Sequence, residues 1–267
     1  MGGVLGYLYV KWIVETSLQI GKDHLMFVAR DGYIWKAICE ALYPEMKSEY
    51  FYAPRLVSIA MLGAIGSVPW AVKDRQEYID KHLNSSNIDH IRDSYRQYMK
   101  KYAIDDKTAM IDGCSSGFSA QRLVEKTIGR NVFCFYLLAM AKIRYAATLY
   151  STQLLSLQWQ MLSEFVFGAP ENPIRGIDNG LPMYETNLSK EESLKVSVSQ
   201  NIAEGAVACA KVLKKENVEI TPDDWREYVD LFMEYISEED EKFLTNAMNA
   251  PDVEQKYYKQ ILFQTVA

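Results

Sequence analysis

The sequence predicts an α/β fold with a mostly parallel sheet and added C-terminal helices. Short apolar runs alternate with loops and helical segments through the first half. Two small-residue turns each follow such a run directly and precede a helix. From residue 144 onward the pattern is helical, apart from one loop dense in Gly, Pro and Asn. With 267 residues, and about 150 residues per domain as the usual measure, the chain fits one large domain or two smaller ones. Its 49% hydrophobic and 24% charged residues exclude collagen-like, low-complexity and disordered classes.

The elements follow in order. Residues 5–20 carry apolar residues at helical spacing, and Gly21 stops them. His24 to Ala29 reads as a buried strand, broken at Arg30-Asp31-Gly32, with a helix from Tyr33 to Leu42. A second strand is expected at Glu49 to Ala53, ended by Pro54. Residues 74–103 predict two helices around the Asn/Ser cluster at 84–87. Thr108 to Ile111 is a third strand, followed by the loop Asp112 to Gly117, a helix over 119–128 and a strand over 131–138. Residues 144–167 read as one long apolar helix and 168–186 as an ordered loop; from 188 everything is helical, with Thr221-Pro222-Asp223-Asp224 as a helix start. The predicted division is an α/β core at 1–143, with a helical insertion at about 60–105, and a mostly helical region at 144–267 packed on it.

A net charge of −6 argues against non-specific nucleic-acid binding, so no nucleic-acid partner is expected. The four cysteines are scattered and no secretory signal is read, which fits a reducing, cytoplasmic setting. The three histidines have no metal-ligand spacing. The longest apolar run, Val132 to Ala141, is about half a membrane span, so no transmembrane segment is expected.

Both turns belong at the carboxyl ends of parallel strands, where open α/β sheets bind ligands. In the first, Gly32 lets the backbone approach an anion at a helix N-terminus, and Arg30 offers a forked cation for a diphosphate. Asp31 can orient Arg30, hold a metal or take a proton; the plainer alternative is a surface ion pair capping the helix. In the second, Ser115, Ser116, Gly117 and Ser119 form a cup of donors suited to a phosphomonoester, with Asp112 facing sugar hydroxyls. Its plainer alternative is a tight turn with Asp112 as helix cap. The spacing is not that of a Walker A loop, since Phe118 stands where the Lys belongs.

The loop Ile111-Asp112-Gly-Cys-Ser115-Ser116-Gly117-Phe-Ser119-Ala-Gln121 resembles the PRPP-binding loop of type I phosphoribosyltransferases. Phe27-Val-Ala-Arg-Asp-Gly-Tyr-Ile-Trp-Lys-Ala37 is similar to that family's diphosphate loop. More closely, the chain resembles a family encoded with polysaccharide glycosyltransferases, whose members show Phe-Leu-Ala-Arg-Asp-Gly-Tyr and Asp-Ile-Gly-Trp-x-Gly-Thr-x-Gln. They often carry a label of haloacid-dehalogenase-type hydrolase from a separate phosphatase domain. That label does not transfer, because this chain has no Asp-x-Asp motif. Three departures stand out: one acid, Asp112, before the loop, Cys114-Ser115 in place of Gly-Trp, and Pro54 in place of a Ser before Arg55.

The resemblance implies a type I phosphoribosyltransferase-like, Rossmann-like core that transfers 5-phosphoribosyl from PRPP to a glycan acceptor in polysaccharide biosynthesis. It implies Mg²⁺ carried with PRPP and a phosphatase partner acting in trans. On that reading Arg30, Gly32, Tyr33 and Arg55 take the diphosphate; Ser115, Ser116, Gly117 and Ser119 take the 5-phosphate. Asp112 faces the ribose, Asp31 is the base, and Glu164 and Tyr184 are acceptor candidates. For Trp159, Phe165 and Phe167 a core role at helical spacing is the alternative to a sugar platform. The rival from another class is a non-catalytic sugar-phosphate-binding module that partners a phosphatase or glycosyltransferase. A base phosphoribosyltransferase is disfavoured, because no hood for a flat base is evident.

Overall fold

The computed structural model describes residues 2–63, 83–115, 117–139, 145–151, 166–188, 190–235, 237–239 and 242. Its centre is a five-stranded parallel sheet of β1 (His24–Val28), β2 (Lys47–Phe51), β3 (Thr108–Ser115), β4 (Phe133–Ala139) and β5 (Ala146–Ser151). The spatial order is β2-β1-β3-β4-β5. The inner strands are apolar on both faces, as a sheet covered on two sides requires. The edge strand β2 instead carries Lys47 and Glu49, charges that discourage further strand addition.

Helices α1 (Gly2–Gln19) and α2 (Gly32–Leu42) cover one face. Helices α3 (Arg55–Leu62), α4 (Ile88–Met99) and α5 (Ser119–Ile128) cover the other. Strand residues alternate between the two cores: Leu25 and Phe27 face α1 and α2, whereas Met26 and Val28 face α3 and α4. The chain leaves β1 outward through α2 to β2 and leaves β3 the opposite way through α5 to β4. Adjacent β1 and β3 therefore flank a topological switch point, where two outgoing turns diverge and leave a crevice.

A small hairpin, β6 (Ile174–Asp178) and β7 (Leu181–Tyr184), is antiparallel and lies against α3 and α4. Helix α6 (Lys190–Lys215) packs along α1 and α2. Its end is fixed by Lys214, which donates to the Leu42 carbonyl at the close of α2 and lies 3.9 Å from the Tyr43 ring centre. Helix α7 (Pro222–Glu234) begins with the expected capping box: Thr221 accepts from the Asp224 N–H while Asp224 accepts from that of Thr221.

Four expectations change. Residues 146–151 form the edge strand β5 rather than part of a long helix. A short run such as Ala-Ala-Thr-Leu-Tyr-Ser does not distinguish buried strand from helix by period, and pairing with β4 decides it. The sheet therefore ends beyond the expected boundary at 143. The third strand runs to Ser115, because Asp112, Cys114 and Ser115 pair with Tyr136, Leu138 and Ala139. The loop at 168–186 contains the β6–β7 hairpin. In the insertion at about 60–105, only residues 60–63 and 83–105 are described; the first of its two expected helices, Glu164, Trp159, Phe165 and Ser116 lie outside the described residues.

Candidate functional site at the switch point

The first turn leaves β1 at Val28 and enters α2 at Gly32. The Ala29 N–H donates to the Phe51 carbonyl of β2 at 2.8 Å, and the Tyr33 N–H to the Arg30 carbonyl at 3.1 Å. The Ala29–Arg30 peptide bond is cis. A Cβ at Gly32 would stand 2.9 Å from the Cβ of Phe27, so only glycine lets α2 start this close to the strand it follows. Asp31 occupies the N-cap position of α2, yet its side chain makes no capping hydrogen bond. The simple helix-cap reading of Asp31 therefore fails.

Its carboxyl points across the crevice instead. A Cβ built on Gly113 of β3 would lie 2.3 Å from Asp31 Oδ2, inside any real contact distance. The hydrogen-only side of Gly113 is thus the surface on which the Asp31 carboxyl rests. Asp112, one residue earlier, accepts the Gly113 N–H through Oδ1 at 2.9 Å. It does not cap α5, whose N-cap is Phe118 at φ 51°. Tyr9 of α1 donates its phenol to the Asp112 carbonyl at 2.9 Å, tying this end of β3 to the helical layer.

Two half-buried carboxyls thereby lie within electrostatic reach of each other at the end of β3. Burial raises Asp31 to about 6, against the lowering pull of Lys195 and Arg30. Burial, then the Asp31 charge, raises Asp112 to about 7, while the Gly113 N–H opposes the rise. Two carboxyls that repel each other in partial isolation from water hold protons near neutrality, as acid–base pairs do. Lys195 acts on Asp31 from α6 and is only 6% exposed. Sequence reasoning missed it. The available signal was a stripe, since Lys195, Ser199, Ala203, Ala206 and Ala210 recur at helical spacing and all are buried. A lysine in an otherwise small, buried stripe needs an anion to face.

The second turn is shorter than expected. Ser115 still belongs to β3, and its Oγ accepts the Phe118 N–H at 2.8 Å. Its hydroxyl proton remains available to donate. Gly117 and Ser119 follow at the half-exposed start of α5, which opens at the same sheet edge as α2. Phe118 turns back against Tyr136, ring centres 5.1 Å apart. Gln121, the last residue of the motif, is 4% exposed and serves the scaffold: it donates to the Val132 carbonyl at 2.9 Å and accepts from the Tyr136 phenol at 2.9 Å. Arg55 is half-buried at the first position of α3, beyond β2.

Tyr33 and Tyr184 are the two ends of a second group of side chains beside the first turn. Tyr33 stands edge-on to Tyr50 at 6.0 Å, Tyr50 to Tyr52 at 5.5 Å, and Tyr52 to Tyr184 at 6.1 Å. Glu171 accepts the Tyr50 and Tyr52 phenols, one on each carboxylate oxygen, both at 2.7 Å. Phe167, by contrast, is 1% exposed against Trp35 and belongs to the core.

Compared with known protein families and with curated proteins, the chain matches none. Among the described residues, no group of three or more His, Cys, Asp or Glu is placed to hold a metal ion. No described helix is long and apolar enough to cross a membrane.

Proposed function

We propose that the chain is a phosphoribosyltransferase that moves 5-phosphoribosyl from PRPP to a hydroxyl of a glycan acceptor, with the switch-point crevice as its active site. The observation that carries this reading is the seating of the Asp31 carboxyl on Gly113, beside Asp112, between two helix N-termini. A donor with a phosphate at each end of a pentose needs two anion-binding turns on one edge and carboxylates between them.

On this reading the first turn holds the diphosphate through Arg30 and the Gly32 amide, with Tyr33 closing the turn by donating its own N–H to the Arg30 carbonyl. The second holds the 5-phosphate through the Ser115 hydroxyl and the Ser116–Ser119 segment. Lys195 adds positive charge next to Asp31, where the diphosphate departs. Asp112 faces the ribose hydroxyls. Magnesium binds through few carboxylates plus substrate phosphates, and a single carboxylate at Asp112 fits that habit. When bound, it would neutralise charge on the diphosphate. In the transfer, the acceptor oxygen bonds to C1 as the bond from C1 to the diphosphate oxygen breaks. The electron pair leaves with diphosphate, and the acceptor proton passes to Asp31. A carboxyl near 6 is mostly ionised at neutral pH and is matched to that task.

The non-catalytic reading, a sugar-phosphate-binding module, draws on the engagement of Ser115 in its own turn and on the absence of a second acid before Asp112. Calorimetry with PRPP and Mg²⁺, followed by diphosphate release in the presence of methyl glycosides, separates the two. Binding with release supports the transferase. Binding without release favours the module, and no binding removes both. Asp31→Asn is expected to lower diphosphate release by about 10²–10⁴-fold while PRPP affinity holds; normal turnover in that variant excludes Asp31 as the base.

A further inference from the structure

The side chains of Tyr50, Tyr52, Tyr184 and Glu171, and the Tyr33 ring that packs against Tyr50, have no part in gripping PRPP on that reading. They come from three distant stretches of chain: Tyr33 from α2, Tyr50 and Tyr52 from β2 and its exit, and Glu171 and Tyr184 from around the β6–β7 hairpin. All converge at the carboxyl edge of β2, next to the turn that the Ala29–Phe51 hydrogen bond fastens there. Tyr50 also lies within the electrostatic reach of Asp31. The group is therefore adjacent to the reacting centre on the β2 side, and β3 carries the 5-phosphate turn on the other.

A core alone does not account for it. Tyr184 is 40% exposed, and Tyr33, Tyr50 and Glu171 are half-buried, so rings and carboxylate are reachable from solvent. The hydroxyls form a relay: the Tyr52 phenol donates to Glu171 and lies 2.7 Å from the Tyr184 phenol. Glu171 has one phenol on each oxygen and keeps a further lone pair on each for a ligand hydroxyl. Aromatic faces with fixed polar tips, arranged around a carboxylate that accepts several hydroxyl protons, suit a ligand with apolar C–H faces and many hydroxyls.

We propose that Tyr33, Tyr50, Tyr52, Tyr184 and Glu171 form the acceptor subsite, and that it takes a neutral saccharide ring with a free hydroxyl turned toward Asp31. The proposal rests on the transferase reading for its name as acceptor site, but saccharide binding there is testable alone. The probes are methyl glycosides of glucose, galactose, mannose and ribose, read by saturation-transfer-difference NMR on the full chain, with PRPP calorimetry run in parallel. At least one glycoside is expected to bind the unmodified chain. Its affinity is expected to fall at least tenfold in Tyr184→Ala and in Glu171→Gln, while PRPP affinity changes less than twofold. Tyr184→Phe, which keeps the ring and loses the relay hydroxyl, is expected to give a smaller loss. Circular dichroism checks that each variant is folded. If no glycoside binds the folded parent, or if binding survives both Tyr184→Ala and Glu171→Gln, the subsite is overturned, whatever PRPP does. If PRPP fails to bind while the glycoside losses appear, the saccharide site stands and the PRPP reading falls.

Discussion

The two ends of the central sheet treat buried polar groups in opposite ways. At the amino end, His24 is 4% exposed with Nε2 2.7 Å from Glu49 and Nδ1 3.1 Å from the Thr108 hydroxyl. That hydroxyl in turn donates to Asp105 at 3.1 Å, and Lys22 donates to the Asp106 carbonyl. The donors of Thr108 and Lys22 and both ring nitrogens of His24 have partners, as buried polar groups require for a stable fold. At the carboxyl end, Asp31 and Asp112 repel each other across the switch point, and both are raised toward neutrality. One end is arranged for stability. The other tolerates an electrostatic conflict of the kind that marks reactive sites.

Substitutions at each end sharpen that contrast. Gly113→Ala is expected to have the largest effect, because the new methyl displaces the Asp31 carboxyl it would touch at 2.3 Å. A loss of about 2–3 kcal/mol in urea unfolding and a PRPP affinity weakened more than tenfold are expected. An unchanged PRPP affinity would mean that the two turns do not act together. At the amino end, Glu49→Ala strips His24 of its Nε2 partner and is expected to cost about 1–2 kcal/mol. PRPP binding should remain as it was; coupled loss of both would break the division between the ends.

The smallest effect has the opposite sign. Asp112 titrates at about 7 and Asp31 at about 6 in the folded protein, against about 4 for each in the unfolded chain. Between pH 4 and 7 the folded state therefore holds protons that the unfolded state has released, and the pair makes stability fall as pH rises through that window. Asp112→Asn keeps an oxygen for the Gly113 N–H and removes the charge. It is expected to stabilise the metal-free protein at pH 8 by about 1–2 kcal/mol, after discounting for solvent at a half-buried carboxyl, and to leave stability at pH 4 nearly unchanged. Chemical unfolding at the two pH values checks this. A destabilised variant at pH 8 would mean that the carboxyls are not in conflict.

Much of the fold was legible in the residues. The apolar runs at 24–28 and 133–139, the glycine turn at 30–32 and the box at 221–224 are local patterns, and local patterns survive tertiary folding when packing agrees with them. The edge strand at 146–151 was not legible, because its six residues suit either period until β4 offers a partner. The same holds for Asp112 to Ser115, which read as a loop from their small side chains but are claimed by β4.

For the candidate site, the sequence by itself nominated Asp31 and Asp112 as acids after strands, since strand, small-residue turn and helix are contiguous in the chain. Only the tertiary structure decided that Asp31 comes within electrostatic reach of Asp112, that Gly113 makes the room, and that Lys195 and Glu171 arrive from elements far along the chain. The physical reason lies in range. Backbone period and turn chemistry act over a few residues and are written locally, whereas desolvation and charge pairing depend on which distant segments the sheet order brings together.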